Sequence, residues 1–210
     1  FAIPHDEPRR ANPVLIRRKE ATNLTFGWSM VVPRELTDEE ADAMSALNHI
    51  LTGTMSSRIF GSARKKGLAY SIFSDTSVGF YDSAWDFGGQ VNIDAAEKLF
   101  DIIVRELKRV LSGSISAEDL ESVKSYSLGR YQMGAQTVGQ ISNFYVGRYF
   151  ADDFVRDYDG VPASILAVTS EQMIETARQF FVADAWTLAA VSSDDKILLL
   201  KLFDKLSKLF

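Results

Sequence analysis

The sequence contains few side chains that could hold a metal ion or act as a nucleophile. Its only histidines are His5 and His49, which lie 44 positions apart on unlike segments, and it has no cysteine. Zinc hydrolases commonly place two histidines on one face of a helix, and this spacing excludes that arrangement. Asp75, Asp82 and Asp86 lack the dense oxygen-ligand spacing of a calcium loop. We therefore expect no metal site, and no complete catalytic site, in this chain alone.

Residues 51–73 form the most informative stretch, LTGTMSSRIFGSARKKGLAYSIF. It predicts a short helix that begins around Ser56 or Ser57 and ends at Gly67, followed directly by a strand. The stretch resembles the second-half signature of the pitrilysin/insulinase family of zinc peptidases, in which Leu-x-Gly-x-x-Ser-Ser-Arg-Leu-Phe leads through an arginine-containing helix into Gly-Leu-Ala-Tyr-Ser. The matching positions are Leu51, Gly53, Ser56, Ser57, Arg58, Phe60, Gly67, Leu68, Ala69, Tyr70 and Ser71.

Members of that family have two similar lobes that close like a clamshell over a peptide. The first lobe carries a zinc-binding His-x-x-Glu-His helix, and this sequence has no such motif. The resemblance implies that this chain is the second, non-zinc-binding lobe, similar to the processing-peptidase-like members, with no cofactor of its own and zinc on the partner lobe. It also implies that an Arg and a Tyr of this lobe reach the substrate. Negative charge builds on the carbonyl oxygen when water attacks an amide, and a fixed phenol or guanidinium stabilises that charge.

Tyr70 and Arg64 are the substrate-binding residues that the resemblance indicates. Tyr70 matches the family tyrosine directly. The family pattern sets its arginine seven residues before the tyrosine, whereas Arg64 lies six before it, and one residue less turns a helical side chain by about 100°. A solvated arginine at a helix end is the alternative, with Lys65 or Lys66 as a substitute point charge. Arg58 is expected to brace its own helix.

Two features of the strands around Tyr70 affect its role. Strict alternation places Tyr70 on the same side as Leu68 and Ile72, so a half-buried core tyrosine is the alternative to a substrate contact. The pair Gly88-Gly89 falls inside a predicted strand, which indicates a bulge or room for a neighbouring backbone.

Hydrophobic periodicity predicts the elements that position these residues. Period-two alternation indicates strands, and capping boxes followed by a 3.6-residue period indicate helices. The strands are predicted near residues 24–32, 68–73, 85–91 and 185–192, and helices are predicted to open near Thr37, Ser57, Asp94, Ser116 and Thr169. Runs of strands and helices without regular alternation predict an α+β fold, with a largely antiparallel sheet and helices packed on one face. By resemblance this is one lobe of a two-lobed clamshell peptidase.

The chain divides into three predicted parts. Residues 1–19 hold three of the five prolines and show no steady period, so we expect a lead-in or interdomain linker. Residues 20–193 are the predicted lobe. Residues 194–210 form a predicted amphipathic helix of the same lobe, for which core or interlobe packing is favoured over membrane attachment.

Composition restricts the partners. Lys and Arg total 23 against 28 Asp and Glu, and a net charge of -5 argues against a nucleic-acid binder. No stretch approaches the roughly 20 apolar residues of a membrane span. The absence of cysteine is compatible with both periplasm and cytoplasm, so the compartment stays undetermined.

These observations lead to two functional hypotheses. In the first, the chain is the substrate-binding, non-zinc-binding half of a zinc metalloendopeptidase that cleaves peptides or unfolded segments. It is then inactive alone and pairs with a catalytic lobe in the same polypeptide or in a second subunit, as a homo- or heterodimer. In the second, it is a non-proteolytic structural or assembly subunit of the same family.

Overall fold

The computed structural model describes residues 11–152, 157–193 and 196–210. The strands are β1 (Val14–Arg17), β2 (Asn23–Val32), β3 (Ala69–Val78), β4 (Ser83–Asn92) and β5 (Trp186–Ser192). The α-helices are α1 (Asp38–Asn48), α2 (Arg58–Lys65), α3 (Ala96–Leu111), α4 (Ala117–Met133), α5 (Val138–Asp152), α6 (Val161–Ala167), α7 (Ser170–Gln179) and α8 (Lys196–Ser207). Shorter turns are the π-helical His49–Gly53 and the 3₁₀ turns Ile93–Ala95 and Tyr158–Gly160.

The five strands form one mixed sheet in the order β1-β5-β2-β4-β3. β1 pairs with β5 in parallel, and the other three pairings are antiparallel. The predicted α+β class with a largely antiparallel sheet is therefore confirmed, and β3 lies at one outer edge of the sheet.

One face of the sheet is covered and the other is open. Along β2 the alternate residues from Leu24 to Val32 are buried, while Thr25 and Gly27 between them are exposed. This is the period of two expected of a half-buried strand. The buried side packs under the helical layer, in which α1 contacts α7 and α3 contacts both α7 and α8.

Helix α8 packs onto the core, as favoured from its amphipathic pattern. Leu199, Leu202, Phe203 and Leu206 are all buried. The ring of Phe203 stacks on Trp186 of β5 with centroids 4.4 Å apart. No helix in the described ranges is both long and apolar enough to cross a bilayer.

Three details differ from the sequence prediction. Residues 14–17, within the stretch assigned to a lead-in, form β1, and residues 1–10 of that stretch lie outside the described residues. Asp94 does not cap α3, because a 3₁₀ turn over Ile93–Ala95 precedes that helix. Helix α6 was not predicted, since it spans only 7 residues and so shows too little of the 3.6-residue period.

Candidate functional site

The two residues singled out by sequence lie on either side of the junction between α2 and β3. Ser57 is the residue before α2, and its hydroxyl donates to the Thr54 carbonyl at 2.6 Å rather than capping the helix. Gly67 lies two residues after the last residue of α2, and its φ of +64° favours glycine. The amide of Leu68 donates to the Ala63 carbonyl at 3.0 Å, and that of Gly67 donates to the Arg64 carbonyl at 3.0 Å. This is a Schellman termination, and it sets the direction in which β3 begins.

A bulge interrupts the pairing of β3 at Tyr70. Ala69 lies opposite Val91 of β4 and Ser71 lies opposite Gln90, so Tyr70 is an extra residue with no partner in the ladder. Ala69 and Ile72 are buried, whereas Tyr70 is 76% exposed. The prediction that Tyr70 shares a face with Ile72 is wrong, because the inserted residue changes the alternation. The alternative of a half-buried core tyrosine is wrong for the same reason.

Two glycines of β4 lie against this part of β3. A methyl group placed on Gly89 would lie 2.4 Å from the Ser71 carbonyl oxygen and 3.2 Å from the Ile72 Cα. At Gly88 the same group would lie 2.4 Å from Cζ of the Phe73 ring. The prediction that Gly88-Gly89 gives room to a neighbouring backbone is confirmed for Gly89.

Both candidate side chains are open to solvent. Tyr70 is largely exposed, and Arg64 in the last turn of α2 is also exposed. Within the described ranges, neither the Tyr70 hydroxyl nor the Arg64 guanidinium has an ion pair or hydrogen bond. The junction therefore carries a phenol and a guanidinium, six residues apart in the chain, that make no polar contact within the described ranges.

Arg58, the other arginine of the matched stretch, has a structural role. Its Nη2 lies 2.5 Å from Asp119 Oδ2, and its Nη1 donates to the Ser114 carbonyl at 2.8 Å. Burial opposes the charge on Asp119, but the hydrogen bonds from Arg58 and Ser116 outweigh it and lower the pKa of that carboxyl. Arg58 thus joins the start of α2 to the start of α4, and the prediction that it braces its helix is confirmed.

Polar side chains hold β3 against the end of α1 and the π-helical turn. The Thr52 hydroxyl lies 2.8 Å from the Ser74 hydroxyl and accepts a hydrogen bond from the Ser74 amide at 2.9 Å. Asn48 donates to the Thr76 hydroxyl at 3.0 Å. The Thr76 amide donates to its neighbour's carboxylate, Asp75 Oδ1, at 2.9 Å. The outer amides of Ser74 and Thr76 are therefore already bonded, although β3 is an edge strand.

Comparisons with known proteins place this geometry in a family. Residues 3–126 match the family described as the peptidase M16 inactive domain. The chain belongs to that family. This confirms the resemblance to the pitrilysin/insulinase zinc peptidases, and it makes the chain an inactive domain of the M16 zinc-protease type.

Relatives of the M16 inactive domain agree in sequence and in fold. An uncharacterized zinc protease of Bacillus subtilis, YmxG, is 26% identical over 200 residues, covering 89% of this chain and 46% of the relative. A peptidase M16 inactive domain from Pseudomonas fluorescens has a TM-score of 0.75 at 14% identity, covering 93% of this chain and 46% of that chain. A protease from Helicobacter pylori has a TM-score of 0.73 at 17% identity, covering 90% and 45%. The chain thus spans about half the length of each of these three proteins.

The M16 inactive domain offers no site that fits zinc within the described residues. No group of three or more His, Cys, Asp or Glu side chains lies close enough to hold a metal ion there. His49 packs its ring against Tyr126 with centroids 4.6 Å apart, and His5 lies outside the described residues. The part of the chain that the structure describes therefore supplies no set of ligands for zinc.

The bulge at Tyr70 is the structural feature that alternation alone missed. Its signal in the sequence is Gly89 on the partner strand, because a close backbone approach requires a residue without Cβ. The sequence analysis placed the glycine pair in a strand correctly, but it did not connect that pair with the face of the sheet on which Tyr70 lies.

Proposed function

We propose that this M16 inactive domain is the substrate-contacting, non-zinc-binding half of a zinc metalloendopeptidase, and that it pairs with a separate lobe bearing a His-x-x-Glu-His helix. Family membership supports the pairing, as does the share of its relatives that the chain spans. The single observation that carries the proposal is the exposure of Tyr70. Tyr70 is 76% exposed. It lies at the start of β3, just after the helix that carries the exposed Arg64, and it is therefore accessible to a ligand bound by another lobe.

The Tyr70 phenol has the chemistry that amide cleavage needs from a supporting lobe. A neutral hydroxyl donates a hydrogen bond, and such a bond strengthens as negative charge develops on the carbonyl oxygen of the scissile peptide. Because the Tyr70 hydroxyl has no hydrogen-bond partner within the described ranges, a hydrogen bond from it to substrate replaces no bond seen there. Arg64 takes a second, weaker role as a cation near the peptide.

The partner lobe would supply zinc, a Lewis acid that polarises the carbonyl and activates water. The residues of the inactive domain orient the peptide and stabilise charge on its carbonyl oxygen. On this proposal, the substrates are peptides or unfolded segments short enough to lie between two lobes.

The test is cleavage of unstructured peptides by this chain combined with its zinc lobe. Tyr70→Phe removes only the hydroxyl, so kcat should fall by about ten-fold or more, since removal of one oxyanion donor typically costs about 10²–10³-fold. Tyr81→Phe is the matched control, because Tyr81 is also exposed, at 53%, but lies in the turn between β3 and β4. Unchanged kcat in Tyr70→Phe would refute the role of the phenol.

A non-proteolytic assembly subunit is the second candidate. It is favoured by the position of Arg64, which lies six residues before the tyrosine where the family pattern has seven. The same reconstitution separates the two candidates. A stable complex of the two lobes that cleaves no peptide, with zinc bound, supports the assembly subunit.

A further inference from the structure

Tyr70 is exposed because the bulge changes which face of β3 its side chain occupies, and not because of which residues surround it. Ile72 faces the helical layer, and in a strand of strict alternation Tyr70 would face it too. The extra residue between Ala69 and Ser71 interrupts this alternation, so the side chain of Tyr70 is exposed. A change that removes the bulge without shortening the strand therefore turns this side chain toward the core or forces the start of β3 out of register.

Gly89 of β4 is the residue that leaves space for the bulge. The bulge brings the Ser71 carbonyl oxygen over Gly89, at 2.4 Å from the position of a Cβ there. Contacts this short are not tolerated, and the group in the way is main chain, so it cannot move without moving the bulge itself. Phe26 Cε1 lies 3.3 Å from the same position and blocks relief on the other side.

We infer that Gly89 is a positioning residue for Tyr70, holding the bulge that turns the phenol toward solvent. The value of this position for catalysis rests on the proposed function of Tyr70. The geometric part does not, because the orientation of Tyr70 can be measured in this chain by itself.

Gly27 provides a matched control. It lies in β2 directly opposite Gly88 of β4, and a Cβ placed on it meets no other atom within 4 Å. Gly27→Ala and Gly89→Ala both replace a strand glycine with alanine, so they change chain entropy equally. Only Gly89→Ala meets the carbonyl of the bulge.

The first measurement is nitration of tyrosines by tetranitromethane in the folded chain, mapped by mass spectrometry. Trypsin releases residues 67–98 as one peptide that contains both Tyr70 and Tyr81, so Tyr81 serves as the internal reference. In Gly89→Ala the nitration of Tyr70 relative to Tyr81 should fall several-fold, and in Gly27→Ala it should be unchanged. Unchanged relative nitration in folded Gly89→Ala overturns the inference.

If Gly89→Ala does not fold, deletion of Ser71 provides the second measurement. This deletion shortens β3 by one residue, so Tyr70 takes the place opposite Gln90 and the backbone beside Gly89 returns to regular pairing without a bulge. Combining the deletion with Gly89→Ala should restore cooperative unfolding in urea. If the combined variant is no more stable than Gly89→Ala alone, the bulge is not what requires this glycine, and the inference fails.

Cleavage by the reconstituted pair of lobes then separates the two proposals. In Gly89→Ala, kcat should fall as in Tyr70→Phe, with less change in KM, and Gly27→Ala should match the wild type. Reduced nitration with unchanged cleavage refutes the role of Tyr70 and leaves the positioning intact. Reduced cleavage with unchanged nitration refutes the positioning.

Discussion

Replacing Asn48 with alanine should destabilise the domain by an amount that its contacts allow us to estimate. Asn48 is 6% exposed and accepts a hydrogen bond from the Trp85 indole at 2.8 Å, while donating to the Thr76 hydroxyl. Trp85 is fully buried. An indole N–H left without a partner in that environment costs about 1–3 kcal/mol, and the lost amide–hydroxyl bond contributes about 1 kcal/mol more. We expect Asn48→Ala to lower the free energy of unfolding by about 3 kcal/mol.

Urea unfolding followed by far-UV circular dichroism measures this loss without relying on tryptophan fluorescence. Asn92→Ala is the control, since Asn92 is exposed at the end of β4 and should change stability by less than about 0.5 kcal/mol. A cycle with Trp85→Phe isolates the pair, and a coupling of about 1–2 kcal/mol is expected for residues in direct contact. A loss below about 1 kcal/mol in Asn48→Ala would refute the reasoning, because it would mean that the indole finds another partner.

Two further predictions concern pH. Hydrogen bonding from Arg34 lowers the pKa of Glu40 to about 2, so this contribution to stability is present above the unfolded pKa and is lost as pH falls toward 2. Glu40→Gln should cost about 1–2 kcal/mol at pH 7 and much less near pH 2 by urea unfolding, and an equal cost at both pH values would contradict this. Burial lowers the pKa of His49, against a hydrogen bond to the Ser45 carbonyl and with help from the nearby Arg130. The unfolded chain then binds the proton more readily, so stability should fall below about pH 6.5, and His49→Gln should flatten that slope; a slope that is unchanged in the variant would contradict the assignment.

Local signals in the sequence predicted most of the fold because they act over a few residues. The capping boxes at Thr37, Ser116 and Thr169 each begin a helix as expected, and alternation located β2 because its core side is continuously apolar. β1 was missed, since four residues are too few for a period and its pairing with β5 spans almost the whole chain.

The candidate site was predicted less completely. The matched stretch identified Tyr70 and Arg64, and both proved exposed. The face of Tyr70 could not be read from β3 alone, because a bulge depends on the backbone of the strand beside it. On the proposed function, the groups that approach Tyr70 belong to another lobe, so they leave no trace in the periodicity of this one.

The bonded outer amides of β3 have a consequence for how the domain meets other molecules. A ten-residue edge strand without proline or lysine ordinarily tends to pair with a strand of another chain. Here the Ser74 and Thr76 amides already donate to Thr52 and Asp75, so they are not free to pair with another strand. Pairing with another chain is thereby disfavoured at these two positions, which leaves the exposed side chains at the start of the strand as the more accessible part of this edge.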